Sequence, residues 1–319
     1  MHDISIFGDA LIDFVPQTVP KIGEVYLQKI GGTSANLAVG VKRLGLNTKF
    51  IFKVGNDSLG KKITKVLTDE GIDISSSLVD FTRYTTVAFV SLNNGERSFS
   101  FARYHSAETN IHPQEIDYDS FLDTKILAMT GMSFTNEPIR SVSFKLLEEA
   151  KNRGVFIVMD MNYRQALWRS RKQFAHVMLK ILPFLNVLKG SEEELGLITK
   201  DGDLISKSKQ LQSYGPQIIL VSLGKDGAFY RIGNTYNHLK TYDLPRIDTT
   251  GAGDSFFSAF CYQLNKLKNT RHITRDNMEK IVDFCNAAGA LAITKMGGAQ
   301  SMPTLEEILK CQRELTRMI

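Results

Sequence analysis

The chain has 319 residues, of which 43% are hydrophobic and 23% are charged, a composition that is ordinary for a globular protein with a large core. Its formal net charge of +5 is modest, and its lysines and arginines are scattered among acids, so no basic face indicates a nucleic-acid partner. No apolar run approaches the roughly 20 residues that cross a bilayer, and the first residues lack a signal-peptide pattern, so we expect neither a membrane span nor a leader.

Strand-like segments alternate with segments of helical periodicity along the chain. The predicted strands are residues 4–7, 49–54, 126–130, 156–161, 186–189 and 218–222. The predicted helices are residues 35–44, 60–70, 138–152, 172–182, 204–214, 252–267, 276–294 and 305–318. This alternation predicts βαβ units and an α/β fold in which helices cover both faces of a mostly parallel sheet. Since no repeat, low-complexity tract or linker interrupts the pattern, we expect a single domain over residues 1–319.

One segment departs from this alternation. Residues 85–92 and 96–104 flank an Asn-Asn-Gly sequence at 93–95, which predicts a β-hairpin. Strand alternation places two cations and two aromatic rings on one face of its second strand: Arg97, Phe99, Phe101 and Arg103. Two interpretations are open from these residues. The hairpin either covers a polar or anionic ligand, or packs phenylalanine on the core with arginine at the rim.

Polar residues lie near the ends of the first predicted elements, where open α/β sheets bind ligands. Asp13 can accept hydrogen bonds from ligand hydroxyls, although a lone aspartate is more often a solvated turn residue. Gly31 and Gly32 let a ligand approach the backbone, and Asn36 offers both a donor and an acceptor. Asn36 can equally be a polar residue in the first turn of a helix.

The apolar strand at 156–161 leads into the sequence D-M-N-Y-R. In an extended chain, every second side chain lies on the same side, which groups Asp160, Asn162 and Arg164. Arg164 can bind a phosphate or a carboxylate through two parallel hydrogen bonds. A structural salt bridge with Asp160 is the alternative. Farther along, Lys189 can reach a phosphate, and Glu193 is either a metal-associated acid or an exposed helix residue.

The loop D-T-T-G-A-G-D-S-F at residues 248–256 leads into an apolar helical pattern. Gly251 and Gly253 allow successive backbone N–H groups to point at one anion, and the helix dipole adds positive potential. A carboxylate at this position repels a bound phosphate unless it has another task, and Asp254 suits that of a general base toward an attacking hydroxyl. The loop by itself leaves open the alternative that Asp254 is only an N-cap.

The three cysteines give no sign of a metal site. Cys261, Cys285 and Cys311 lack the spacing of metal ligands, and their number is odd. Reduced thiols and a cytoplasmic protein are therefore expected.

The loop at 248–256 resembles the signature of the ribokinase-like (PfkB) family of sugar and nucleoside kinases. Six further segments resemble the other motifs of this family in the expected order: residues 6–14, 31–45, 53–60, 160–164, 222–227 and 286–290. The resemblance covers nearly the whole chain. It implies a ribokinase-like fold, a small β-sheet lid built from about residues 11–29 and 84–104, and an ATP-dependent sugar kinase that uses Mg²⁺.

The resemblance also implies a role for individual residues. The expected catalytic group is the base Asp254 with an anion hole at Gly251, Ala252 and Gly253. The expected sugar contacts are Asp13, Gly31, Gly32, Asn36, Phe101, Arg103 and Arg164. The expected ATP contacts are Asn162, Lys189, Ser222, Gly224, Gly227 and Asn286. Glu193 is expected to organise Mg²⁺ through water, although Gly190 stands where the family has an Asn, and Asp248 and Thr250 are expected to hold an activating K⁺.

Three segments resemble the fructokinase branch more than the others: residues 95–103, 160–168 and 289–304. Phosphorylation of a primary hydroxyl of fructose is therefore the expected reaction. A 2-keto-3-deoxygluconate kinase is the alternative, because paired arginines near the lid suit an acid sugar. A catalytically silent regulator that binds sugar or nucleotide is the alternative from another class. We also expect a homodimer through the exposed edges of the lid.

Overall fold

The computed structural model describes residues 1–93, 96–267 and 273–315. The strands, in chain order, are β1 (His2–Phe7), β2 (Leu11–Val19), β3 (Gly23–Gly31), β4 (Thr48–Ile51), β5 (Lys53–Gly55), β6 (Leu78–Asp80), β7 (Val87–Asn93), β8 (Glu96–Ala102), β9 (Thr124–Thr130), β10 (Phe156–Asp160), β11 (Val187–Ser191), β12 (Ile218–Ser222), β13 (Ala228–Ile232) and β14 (Thr235–Leu239). The α-helices are α1 (Thr33–Arg43), α2 (Ser58–Asp69), α3 (Tyr118–Phe121), α4 (Ile139–Asn152), α5 (Arg171–Ile181), α6 (Glu192–Gly196), α7 (Leu204–Gln212), α8 (Ala252–Lys266), α9 (Arg275–Ala292) and α10 (Leu305–Glu314).

One large sheet organises these elements in the strand order β14-β13-β12-β11-β10-β9-β1-β4. The strands from β12 to β4 are parallel, whereas β13 and β14 add an antiparallel edge. The chain runs from β1 toward one edge and from β9 toward the other, so the order reverses between β1 and β9. A crevice outside the carboxyl ends of the strands at such a reversal is where open α/β sheets bind ligands.

The parallel strands are buried on both faces, which explains their nearly continuous apolar sequences. Successive side chains point to opposite faces: on β10, Val158 packs on one side while Ile157 and Met159 pack on the other. Helices α1, α2, α8, α9 and α10 cover the first face, and α4, α5 and α7 cover the second. This is the predicted α/β architecture. None of the helices in the described ranges is both long and apolar enough to cross a bilayer.

A second, four-stranded sheet has the order β3-β2-β7-β8. It brings together the two segments from which a lid is predicted. β2 pairs with β3 and β7 pairs with β8 in antiparallel fashion, while β2 and β7 are parallel. The turn residues Asn94 and Gly95 of the predicted hairpin lie outside the described residues. We call these four strands the small sheet.

Several elements differ from the prediction. The expected strand at 49–54 is two strands, because the chain leaves the edge of the large sheet at Phe52, whose carbonyl accepts a hydrogen bond from the N–H of Leu78. β5 then pairs with β6 in a two-stranded sheet. The edge hairpin of β13 and β14 was not predicted at all. The last helix ends at Glu314, and residues 316–318 of the predicted helix lie outside the described part of the chain.

Candidate active site

Two cavities open side by side at the carboxyl edge of the large sheet. The first has a volume of about 520 Å³ and is lined by strand ends, the small sheet and the loop before α8. The second has a volume of about 550 Å³ and lies between residues 222–227, residues 241–246 and helices α8 and α9. Ser222, Thr249 and Gly253 line both cavities, so the two spaces meet at the start of α8. Each volume is typical of a small-molecule site.

Helix α8 begins at this junction. Its N-cap is Gly251, which has a φ of 85°, a left-handed conformation that glycine adopts without steric cost. The first N–H groups of a helix have no partner within it, and the helix dipole makes this end positive. Gly251 lines the first cavity, Ala252 the second and Gly253 both. The three residues of the predicted anion hole therefore lie where an anion can bridge the two cavities.

Asp254 lies in the first turn of α8 and lines the first cavity. Its side chain is 8% exposed, and its Oδ2 accepts a 2.7 Å hydrogen bond from Nδ2 of Asn36. Gly251 is the N-cap of this helix, and no side chain caps the helix. The alternative that Asp254 is only an N-cap therefore does not hold.

The environment of Asp254 favours its protonated form. Burial raises the pKa of Asp254 to about 6, and the carboxylate of Asp160 adds to the increase. The hydrogen bond from Asn36 and the positive charges of Lys189 and Arg164 oppose it. A carboxyl group with a pKa just below neutrality is still ionised at neutral pH and can accept a proton during a reaction.

Helix α1 carries Asn36 to this carboxylate. Asp9 was not predicted, yet it holds the start of α1: its Oδ2 accepts from the N–H of Thr33 and its Oδ1 from the hydroxyl of Ser34, both at 2.7 Å. Asn36 is 4% exposed, and its Oδ1 has no hydrogen-bond partner among the described residues. Asn36 as a residue lines the first cavity, and an amide in a cavity wall can bond a ligand hydroxyl, which fits the sugar contact predicted for Asn36.

Lys189 and Asp160 form a buried ion pair beside the anion hole. Nζ of Lys189 lies 2.7 Å from Oδ2 of Asp160, and these side chains are 7% and 0% exposed. Burial opposes the charge of Lys189, but the carboxylates of Asp160, Glu194 and Asp254 outweigh it and raise the pKa of the lysine. A side chain at Gly253 would stand 3.0 Å from Nζ. Lys189 is therefore a fixed positive charge next to the first turn of α8.

A further acid that acts on the charge of Lys189 is Glu194, which sequence analysis missed. Its Oε1 accepts from the N–H of Tyr163 and its Oε2 from the N–H of Ser191. Burial raises the pKa of Glu194, and the charge of Asp160 contributes. The spacing Ser191-x-x-Glu194 is that of a capping box, which the structure contains, so this signal was available in the sequence. The predicted acid, Glu193, is exposed and lies at the rim of the first cavity.

The D-M-N-Y-R segment forms one wall of the first cavity. Asn162 is buried with a φ of 41°, an uncommon conformation for a residue other than glycine. Its N–H bonds to Oδ1 of Asp160, and the backbone of the next residue, Tyr163, is held by Glu194. Asn162 and Arg164 both line the first cavity. The salt bridge between Arg164 and Asp160 that the sequence left open does not form, since Asp160 pairs with Lys189.

The small sheet supplies the cover of the first cavity. Asp13 on β2 and Phe99 and Phe101 on β8 line it, as does Gly32. The two phenylalanine rings are stacked, with centroids 6.0 Å apart. Gly31 does not line the cavity, but a side chain at this position would collide with the carboxylate of Asp13.

Arg103 does not line either cavity, contrary to the prediction of a sugar contact. The strand alternation on which that prediction depended ends at Ala102, the last residue of β8. The guanidinium donates twice to Glu108, once to the carbonyl of Met132, and once each to Thr135 and Asn136. These bonds occupy all five N–H groups of an arginine. The side chain of Arg97 lies outside the described residues.

The second cavity contains most of the residues expected to contact ATP. Ser222, Gly224, Gly227 and Asn286 line it, whereas the other two expected contacts, Asn162 and Lys189, line the first cavity. Nδ2 of Asn286 donates to the carbonyl oxygens of Leu239 and Lys240, so this amide also fixes the wall of the cavity. Apolar side chains from α8, α9 and the residue after α9 complete the lining: Phe256, Ala290 and Ile293.

Asp248 joins two loops behind the anion hole. Its Oδ1 accepts from the N–H of Thr250 and its Oδ2 from the N–H of Gly297, both at 2.8 Å. Asp248 is buried and lies outside the cavities, whereas Thr250 lines the first. The oxygens expected to hold K⁺ therefore lie directly before α8.

Among the residues that the structure describes, no three or more His, Cys, Asp or Glu side chains are arranged to bind one metal ion. Magnesium at nucleotide sites keeps several waters and uses one or two carboxylates together with substrate phosphates. The exposed Glu193 at the cavity rim meets this smaller requirement.

The chain is similar to known proteins over nearly its whole length. Residues 1–305 match the family described as pfkB family carbohydrate kinase. The chain is 32% identical to Probable fructokinase-3 of Arabidopsis thaliana over 311 residues. This alignment covers 95% of this chain and 89% of that protein. The structure of fructokinase from Xylella fastidiosa with bound ATP gives a TM-score of 0.90 at 29% identity, over 98% of both chains. A double mutant of the fructokinase of Vibrio cholerae O395, with fructose, ADP and potassium ion bound, gives 0.88 at 27% identity, over 97% of both chains. These similarities confirm the predicted fold.

The raised pKa of Asp254 predicts an effect on stability. Because the folded carboxyl group keeps its proton to a higher pH than the unfolded one, folding becomes less favourable as the pH rises from about 4 to about 6. The full cost, roughly 3 kcal/mol, is present above pH 6. An asparagine carries no charge at any pH, so Asp254→Asn does not lose this stability as the pH rises. We therefore expect a higher melting temperature for Asp254→Asn than for the wild type at pH 7.5, and little difference at pH 4. The exposed Asp201 supplies a control substitution, Asp201→Asn. Equal melting temperatures of Asp254→Asn and wild type at pH 7.5 would contradict the effect.

Proposed function

The chain belongs to the pfkB family of carbohydrate kinases, and we propose that it transfers the γ-phosphate of ATP to a primary hydroxyl of fructose. The enzyme is an ATP-dependent carbohydrate kinase, which removes the alternative of a catalytically silent regulator. In the proposal, residues 1–319 act as one kinase domain, and the small sheet is its lid.

A single observation carries the assignment of the site: two cavities meet at the positive end of α8 beside the buried carboxylate of Asp254. The second cavity has apolar side chains and close backbone, which suit a nucleotide base. The first is lined by carboxylates, amides and an arginine, which suit a sugar. A triphosphate that extends from the second cavity then reaches Gly253, and the sugar lies next to Asp254.

The residues of this junction account for each event of the transfer. Asp254 takes the proton of the sugar hydroxyl while the hydroxyl oxygen forms a bond to the γ-phosphorus. The bond from the γ-phosphorus to the bridging oxygen breaks, and ADP leaves with that electron pair. The N–H groups from Gly251 to Asp254 stabilise the negative charge on the transferred group. Lys189, fixed by Asp160 at 2.7 Å, adds a positive charge to the same place.

Two further groups support the transfer. Mg²⁺ bound with ATP would neutralise part of the phosphate charge. Glu193 is the residue that would hold this metal ion through water. Phe99 and Phe101 cover the sugar from the lid. By excluding water, this cover limits wasteful hydrolysis of ATP.

Two observations favour fructose over an acid sugar. The similar proteins of Arabidopsis thaliana, Xylella fastidiosa and Vibrio cholerae O395 are all named fructokinases. In addition, the alternative of 2-keto-3-deoxygluconate depends on arginines that pair with the substrate carboxylate. Arg103 has no N–H left for such a pair, because its five hydrogen bonds occupy all of them. Among the described side chains, this leaves Arg164 as the arginine that lines the first cavity, without a second arginine to pair with it.

The exposed apolar residues of the lid support a homodimer through this sheet. Tyr26 and Phe89 are 46% and 43% exposed, and their rings meet edge to face with centroids 6.0 Å apart, so they form one exposed apolar patch. The three cysteines are free and buried, which fits the cytoplasmic location that we propose.

The choice of sugar predicts a specific substrate profile. With ATP and Mg²⁺, we expect the highest kcat/KM for fructose, and a value at least about 100-fold lower for 2-keto-3-deoxygluconate, because the described site offers that carboxylate few free cations. ADP release across fructose, glucose, ribose, adenosine and 2-keto-3-deoxygluconate measures it. Turnover of the acid sugar alone would move the acceptor to the alternative. ATP binding without turnover of any sugar would contradict the proposal that fructose is the acceptor.

The role of Asp254 predicts a loss of turnover without a loss of binding. Asp254→Asn and Asp254→Ala should lower kcat by at least about 100-fold, with substrate affinities changed far less, whereas Asp201→Asn should match the wild type. Wild-type kcat should also fall as the pH drops below about 6, because the base becomes protonated. Steady-state kinetics from pH 5 to 9 measure both effects. An Asp254→Asn enzyme within a few-fold of wild type would remove Asp254 as the base.

The oxygens of Asp248 and Thr250 predict activation by a monovalent cation. The related enzyme of Vibrio cholerae O395 has potassium ion bound, and here Asp248 ties together the two loops behind the anion hole. We expect kcat to rise several-fold in K⁺ relative to Na⁺ or a bulky organic cation, and Asp248→Asn to lose this response. Activity that is equal in all three buffers would rule out the cation.

A further inference from the structure

Asn36 and Asp254 form one buried hydrogen-bonded pair, in which Nδ2 of the amide donates to Oδ2 of the carboxylate at 2.7 Å. An ionised carboxylate can only accept, so this bond fixes the orientation of the amide. We propose that Asn36 is the positioning residue for the base: it commits Oδ2 of Asp254 to this bond and leaves Oδ1 to take the proton of the sugar hydroxyl. The inference rests on the proposed function, and it gives Asn36 a task beyond contact with the sugar.

The packing of α1 against α8 holds the pair in place. One turn farther along each helix, Gly40 faces Ser258 so closely that a Cβ at position 40 has no room. The hydroxyl of Ser258 donates to the carbonyl of Asp254 at 2.8 Å and lies 3.4 Å from the carbonyl of Leu37. Because the contacts follow the same order along both helices, α1 and α8 run in the same direction with their amino-terminal ends together. Asn36 is thus held opposite Asp254 by two rigid backbones.

Charged groups on several elements face Asp254. Among them, a neutral hydrogen-bond donor can stabilise the ionised carboxylate without adding a further charge. Burial and Asp160, at the end of β10, raise the pKa of Asp254, while Lys189 on β11 and Arg164 oppose the increase. Four more acids line the same cavity: Asp9, Asp13, Glu193 and Glu194. A hydrogen bond to the charged form of a carboxyl group favours that form. The amide of Asn36 therefore keeps the base ionised near neutral pH without adding a charge that would bind the phosphate in the wrong place.

The contribution of Asn36 is testable because positioning of the base and contact with the sugar have different signatures. Asn36→Ala and Asn36→Ser remove the donor, and Asn36→Asp replaces it with a second carboxylate. Asn162→Ala is the matched control, since it removes another buried side-chain amide of the same cavity. The hydrogen bond from residue 162 to Asp160 comes from the backbone N–H, which alanine keeps. Two quantities are measured in each variant: the pH dependence of kcat, and the ¹³C titration of the Asp254 carboxyl group, assigned with Asp254→Asn.

In Asn36→Ala and Asn36→Ser, we expect the acid limb of kcat and the titration of Asp254 to move upward together by about one pH unit. A shift of this size lowers the ionised fraction of Asp254 at pH 7 about two-fold, and we expect that part of the loss in kcat to recover above pH 8. The loss caused by a misplaced carboxylate should remain at every pH. Asn36→Asp should move both midpoints farther, because two adjacent carboxyl groups share one proton. Asn162→Ala should leave the titration of Asp254 where it is in the wild type.

An unchanged titration of Asp254 in Asn36→Ala, with only the KM for the sugar increased, would overturn the proposal and leave Asn36 as a sugar contact. The carboxyl titration needs no turnover. It therefore tests Asn36 even if fructose is not the acceptor, while wild-type turnover of fructose tests the proposed function separately.

Discussion

A carboxylate buried between the amino-terminal ends of two helices is the constraint on which the rest of this site depends. Asp254 belongs to the first turn of α8, and its partner Asn36 belongs to the first turn of α1. Both helices start at the carboxyl edge of the same sheet, and their positive ends attract negative charge. One arrangement can therefore stabilise both the charge of the base and the charge of a phosphate brought beside it.

The same arrangement lowers the stability of the fold at the site. Lys189 and Asp160 are almost fully buried as an ion pair, and buried charges contribute little net stability because they lose their hydration. Asp254 is less stable as a buried anion than it would be in water. The large sheet offsets these costs through the apolar cores on its two faces. The site thus holds fixed charges that water would screen, and such preorganised charges are what phosphoryl transfer requires.

Much of this architecture could be predicted because it depends on local patterns. The continuous apolar strands and the glycines and acid of residues 248–256 lie within short stretches of sequence. Contacts between distant segments could not be predicted in the same way: the bond from Asn36 to Asp254 joins residues 218 positions apart. Strand alternation placed Arg103 on the cavity side of the hairpin, but the strand ends one residue earlier, and five hydrogen bonds to four acceptor oxygens hold the guanidinium elsewhere. Glu194 was missed although its capping box with Ser191 is a local signal, because its bond to the N–H of Tyr163 joins residues 31 positions apart.

The central claim is that a primary hydroxyl of the sugar lies between Asp254 and the γ-phosphate at the start of α8. A crystal structure with fructose and a non-hydrolysable ATP analogue measures this directly. We predict that the hydroxyl oxygen lies within about 2.6–3.2 Å of Oδ1 of Asp254, in line with the γ-phosphorus, while Asn36 remains bonded to Oδ2. A hydroxyl directed at another side chain, with Asp254 beyond hydrogen-bonding distance, would contradict the claim.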